Sequence, residues 1–214
     1  MKTACNASPI NPVVAKKALK TYSAILLVCL LFGPACKKDD TGITLTLPAK
    51  TQSGKNSFGF LLNNAVWTNY GQVCFPFAGG CRENLIGRFY HNDGVAHVSA
   101  DKVLKKNGSW HTIESIGLEL ATNFQGPKKY STTTNDVIGV AYFLSEQGKE
   151  EISYLLSATN PVFTITLLKV DTVNHILSGE FSGTVFRRIS ESSAETSATD
   201  SIVINDGRFD IKYY

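Results

Sequence analysis

Arg208-Phe-Asp-Ile-Lys-Tyr213 puts Phe209, Ile211 and Tyr213 on one side of an extended chain and Arg208, Asp210 and Lys212 on the other. Alternation with period two marks an antiparallel strand with one face on a core and the other in water. The same period recurs upstream. Ile176 to Arg187 alternates through Leu177, Gly179, Phe181, Gly183 and Val185, Val162 to Leu167 alternates, and Ile116, Leu118 and Leu120 share a face. Turn residues fall between the runs. Asn63-Asn64 and Asn107-Gly108 each join two β-rich segments, and Asn and Gly tolerate the positive φ that two-residue hairpins need. Asn92-Asp93-Gly94, Gln147–Glu150 and Asp171–His175 punctuate the rest, and Asn205-Asp206-Gly207 predicts a last hairpin into the closing strand. No run of ten or more residues has a helical period. Ser190–Thr199 is compatible with helix in composition but has no apolar face to bury, so it reads as a loop. These patterns predict an all-β domain, a single antiparallel β-sandwich or flattened barrel of about 9–12 short strands.

The N-terminal part follows other rules. Ser23 to Phe32 is an apolar run preceded by Lys16, Lys17 and Lys20. It is half the length of about 20 residues that a transmembrane helix needs, and a basic stretch before a short apolar run is the export-signal pattern. Gly33, Pro34 and Ala35 lead to Cys36, an arrangement that resembles the lipobox of bacterial lipoproteins. The resemblance implies that residues 1–35 are removed and that the thiol of Cys36 is acylated and becomes the mature N-terminus. Residues 36–56 then read as a polar tether, in which Ile43, Leu45 and Leu47 could form a short edge strand, and 57–214 as a single all-β domain.

Charge depends on that cut. The whole chain carries 21 Lys and Arg against 18 Asp and Glu. Removing Lys2, Lys16, Lys17 and Lys20 with the leader gives 17 − 18 = −1. The net positive field that gathers nucleic acid is absent from the mature chain, so no nucleic-acid partner is expected. With Cys36 acylated and Cys5 and Cys29 removed, Cys74 and Cys81 remain as an even pair in an oxidising compartment. The intervening Pro76, Gly79 and Gly80 let the chain fold back, which predicts a disulfide.

Motifs for chemistry are few. His91, His97, His111 and His175 are scattered and complete no metal-ligand set. Ser53 to Ser57 fails as a phosphate loop, with Ala49 at the leading-glycine position and Asn56 in place of Ser or Thr. Ser182-Gly183 lacks the leading glycine of a nucleophile elbow, and Glu150-Glu151 reads as a solvated turn. Trp67, Phe75, Phe77 and Trp110 could line a ligand or glycan surface, although aromatic residues in β domains mostly fill cores. The sequence therefore assigns no catalytic, cofactor-binding or metal-ligating residue. Asp171-Thr-Val173 and Asp200-Ser-Ile202 match the acid–hydroxyl–aliphatic triplet of bacterial O-glycosylation, which makes Thr172 and Ser201 candidate acceptors.

Three blocks carry a resemblance: Gly54-Lys-Asn-Ser-Phe-Gly59 with Val66-Trp67, Ile176-Leu-Ser-Gly-Glu-Phe181, and Ile204-Asn-Asp-Gly-Arg-Phe-Asp-Ile-Lys-Tyr213. With the Cys36-Lys-Lys-Asp-Asp40 start, they resemble a domain family of Bacteroidota cell-envelope lipoproteins. The resemblance implies a β domain in the cell envelope, held by lipid in the outer membrane on its periplasmic face or at the cell surface. Lysine and two acids after the lipidated cysteine resemble a surface-export signal. The function expected is non-enzymatic, binding an envelope protein, glycan or small ligand, or structural. A lipocalin-like carrier would need an apolar cavity, and a hydrolase would need a cleft of convergent polar groups.

Overall fold

The computed structural model describes residues 42–75, 80–90, 95–120, 126–132, 137–156, 162–189 and 196–214. The leader, Cys36, the Asn92-Asp93-Gly94 turn, His91 and Phe77 lie outside the described residues.

The described chain is almost wholly antiparallel β structure. In order the strands are β1 (Ser57–Leu62), β2 (Ala65–Thr68), β3 (Cys74–Phe75), β4 (Gly80–Cys81), β5 (Leu85–Tyr90), β6 (Val95–Lys106) and β7 (Ser109–Leu120). They continue as β8 (Lys129–Ser131), β9 (Val137–Glu146), β10 (Ile152–Leu155), β11 (Phe163–Asp171), β12 (Ile176–Arg188) and β13 (Thr196–Lys212). One sheet runs β2-β1-β13-β12-β10-β9-β7-β6-β5. β11 pairs with the first part of β12 and carries β8, while β3 and β4 form a separate ribbon. The sheet curls until its ends touch. Tyr70, just past β2, bridges Lys102 of β6, with Val103 N–H donating to Tyr70 O at 2.7 Å. Beyond β13, the Tyr214 amide donates to Gly87 O of β5 at 3.2 Å.

Hairpin chemistry decides the local joints. Asn63 and Asn64 (φ 47° and 70°) and Asn107 and Gly108 (φ 53° and 74°) have the paired positive φ of tight hairpin turns, as their sequence predicts. Asn205-Asp206-Gly207 does not turn the chain back. Only Asp206 is left-handed (φ 51°), and the strand continues through it. Register moves from Phe181↔Gly207 to Gly183↔Ile204, so Asn205 and Asp206 of β13 face the single Ser182 of β12. The expected last hairpin is therefore a β-bulge in one long strand. Thr196–Thr199, expected in a loop, opens the same strand.

The concave face holds the core. Phe58, Phe60, Phe163, Phe181 and Phe209 pack with Trp67. Phe60 and Trp67 stack at 4.7 Å between centroids, and Phe58 and Phe181 lie tilted at 5.1 Å. Ile116, Leu118 and Leu120 complete it from β7, and Phe209, Ile211 and Tyr213 from β13, on the faces the alternation assigned.

The expected tether is partly a piece of the domain. From Pro48 to Asn56 the chain crosses the outer face of β1, β13 and β12. Arg208 donates to Pro48 O at 3.2 Å, and the Lys212 amide donates to Asn56 Oδ1 at 2.8 Å. This strap explains why Ile176 to Gly179 of β12 are buried whichever face they point to.

Candidate functional site

The concave face changes character toward the end that carries the Asn107-Gly108 and Gln147-Gly148 turns. Glu114 of β7 sits one pleat beyond Ile116, Leu118 and Leu120 on their own side, and is buried. Three donors from three strands meet its carboxylate. Trp67 Nε1 donates at 2.8 Å and Tyr142 Oη at 2.6 Å, both to Oε2, and Lys102 Nζ lies 2.9 Å from Oε1. Burial first, and then the charge and hydrogen bond of Glu114, push the Tyr142 hydroxyl far above its usual range, so it remains a donor.

A second polar pair continues this layer across the sheet. The rings of Tyr142 and Tyr154 lie 6.1 Å apart. Tyr154 Oη donates to Asp200 Oδ1 at a long 3.5 Å, and Arg187 Nη1 is 3.3 Å from Asp200 Oδ2. Burial, followed by the charge of Asp200, raises the Tyr154 hydroxyl as well. Next to this pair, an open cleft of about 760 Å³ is lined by Glu150, Glu151, Ser153, Arg187, Ser197 and Asp200. A second irregularity in β13 shapes its wall. Between Phe186↔Ser201 and Arg188↔Thr196 the strand carries extra residues, and Ser197 Oγ accepts the amides of Thr199 and Asp200.

A shallower groove of about 370 Å³ crosses the convex face. Gly117, Gly139 and Ala141 floor it, with His97 and Glu119 at one side and Phe143 and Leu155 at the other. His97 is half-buried. Burial lowers its pKa, with Arg88 adding to the effect and Glu119 opposing it.

The sequence candidates are dispersed. Cys74 and Cys81 face each other across the β3–β4 ribbon with their Sγ atoms at the disulfide distance of 2.04 Å. Thr172 lies in an exposed turn, and Val173 beside it is 83 % exposed. Asp171 builds that turn. Hydrogen bonds from Asn174 first, outweighing some burial and joined by those from Lys169 and the Val173 amide, pull its carboxyl down to about 2. Ser201 is exposed too, but it lies within β13 opposite Phe186. Trp67 is core and Trp110 is partly exposed on the β6–β7 hairpin. Among the described residues no three His, Cys, Asp or Glu side chains come together as a metal site.

Glu114, Lys102, Tyr142 and Asp210 escaped the reading by motif. Glu114 had a signal, since stepping back two from Ile116 along the apolar face lands on a carboxylate. Such a group is buried only when paired.

Comparison with known protein families, curated proteins and solved structures finds no match to the chain.

Proposed function

We propose that the chain is an envelope lipoprotein, lipid-anchored to the outer membrane through Cys36, whose β domain binds a partner or serves a structural role and is not a catalyst. The observation that carries the non-enzymatic reading is Glu114. The one glutamate buried in the described core is saturated by lysine, indole and phenol donors, so it is spent on holding the fold. The aromatic packing of the concave face counts against the lipocalin-like carrier, which needs that space empty. The cleft beside Arg187 and Asp200 supports a binding role, since it is open and its polar groups suit a glycan or a polar segment of an envelope protein. Thr172, on its exposed turn, is the better-presented of the two candidate O-glycosylation acceptors. The likeness to Bacteroidota lipoproteins supports the location, and Lys37–Asp40 would bear on which membrane face carries the domain.

Mass spectrometry of the protein from its native membrane tests the anchor. Acyl mass on an N-terminal Cys36 is the expected result, with release to the soluble fraction in Cys36→Ser. An unmodified N-terminus would overturn the proposal.

A further inference from the structure

The strap of residues 48–56 is held to the domain in an unusual way. Its hold centres on one side chain, Asp210 of β13, which is buried. Thr51 Oγ1 donates to Asp210 Oδ2 at 2.6 Å, as do the amides of Ser53 at 3.0 Å and Lys55 at 3.1 Å. The Gly54 amide donates to Oδ1 at 2.8 Å. Gly54 is left-handed (φ 71°), and that curl lets three successive amides converge on one carboxylate as a nest. The other ties are polar as well. Lys50 pairs with Glu180 at 2.7 Å, Lys169 Nζ donates to Gln52 O at 3.2 Å, and Arg208 and Lys212 make the bonds described above. The strap contributes no strand to the sheet.

What lies under the strap matters as much. The face it crosses presents Ser178, Glu180, Arg208, Asp210 and Lys212, side chains that water can solvate. Apolar contact includes Pro48 against Gly59 and Gly54 against Ile176. Lifting the strap therefore forfeits little of the hydrophobic term, which scales with apolar area. β12 and β13 meanwhile keep their own ladder, from Ile176↔Lys212 onward. One group is even better off with the strap lifted. Ser178, directly opposite Asp210 in that ladder, is fully buried, and its Oγ has no hydrogen-bond partner. A buried hydroxyl without a partner is a cost, and here it is paid only while the strap is down.

We infer that residues 48–56 form a latch, a segment that docks on Asp210 and opens as a unit while the β sheet stays folded. Its consequence rests on the anchoring proposed above. Docked, the chain from Cys36 to Pro48 can reach at most about 40 Å; released, the chain from Cys36 to Ser57 can reach about 70 Å. The latch thus sets how far the domain stands from the membrane.

Amide hydrogen exchange on the purified chain, read residue by residue, tests the device without any membrane. In the unmutated protein, Ser53, Gly54 and Lys55 are expected to exchange through an opening that leaves β12 and β13 amides protected. Asp210→Asn is expected to speed those three amides about tenfold or more. Thr51→Ala, which leaves β13 untouched, is expected to speed them by a smaller factor, and in both variants the β12–β13 amides remain slower to exchange than those of the strap. The latch is overturned if strap and sheet amides share one opening free energy. It is equally overturned if neither variant accelerates the strap. The anchor is judged separately by the mass of Cys36, so a failed anchor removes the effect on reach and leaves the latch standing.

Discussion

Trp67 and Glu114 lie on strands with β1, β13, β12, β10 and β9 between them in the sheet, yet the indole N–H of one meets the carboxylate of the other at 2.8 Å. The bond spans the concave face and works with the Tyr70–Lys102 bridge to hold the curl shut. Lys102 thereby stands at both links, since its neighbours Asp101 and Val103 make the backbone bonds to Tyr70 and its own ammonium pairs with Glu114.

Breaking this junction should be costly because its members are buried. Glu114→Ala leaves a lysine, a phenol and an indole N–H without their acceptor, and is expected to destabilise the domain by about 3–5 kcal/mol. Trp67→Phe keeps the ring packing against Phe60 and loses one donor, so about 1–3 kcal/mol is expected. Urea unfolding of both variants checks the order. An equal loss in the two would show that packing, and not the carboxylate, carries the junction.

The all-β architecture was legible because period two persists wherever one face of a strand is buried. The hairpins at Asn63-Asn64 and Asn107-Gly108 were legible because positive φ selects Asn and Gly. Asn205-Asp206-Gly207 misled for the same reason. A bulge needs a left-handed residue just as a hairpin does, and composition does not say whether the chain then reverses or continues. The strap misled in another way. A polar, Gly-containing segment looks solvated, and nothing local reveals that its amides have a carboxylate more than 150 residues away to bind. Glu114 lay between these cases, visible as a charge on an apolar face but with partners set by the curl.

The bulge has a packing reason that a substitution can expose. Gly207 lies opposite Phe181, and a Cβ there would come within 2.6 Å of the Phe181 ring and carbonyl oxygen. Gly179 stands likewise opposite Phe209, at 2.7 Å from the ring and from Thr166 O. Each glycine makes room for a phenylalanine on the neighbouring strand. Gly207→Ala is expected to cost about 1–3 kcal/mol through overpacking, and Gly179→Ala a similar amount. Thermal unfolding measures both, and an unchanged midpoint would refute the close fit.

The β3–β4 ribbon lies outside the main sheet, so its cross-link should act locally. Cys74 and Cys81 are separated by 7 residues, and so short a loop restricts the unfolded chain modestly, by about 2 kcal/mol. The double change Cys74→Ser, Cys81→Ser is expected to lower stability by that amount and to leave the far-ultraviolet spectrum unchanged. Thiol labelling of the denatured, unreduced protein should find neither cysteine reactive. Labelling of both would show the pair reduced.

Acid should act on the domain through His97 in one window and, in a lower one, through Asp210 together with Asp171. Burial by itself would raise the Asp210 carboxyl, but the bonds from Thr51, Gly54, Ser53 and Lys55 outweigh it and hold the pKa below the usual value. A carboxyl depressed in the folded state stabilises fully above its unfolded value of about 3.9, and that contribution is lost as pH falls through the lowered folded value. His97 is also depressed, chiefly by burial, so its unfolded form binds the proton first. Its contribution is complete above about pH 6.5 and fades as pH drops toward the folded value. Stability measured against pH should thus show a shallow fall below neutrality and a steeper one below about pH 4. His97→Gln is expected to flatten the first fall and Asp210→Asn the second, the latter with a lower plateau at neutral pH. If Asp210→Asn instead keeps the full acid loss, the carboxylate beneath the strap is not the group whose protonation loosens the fold.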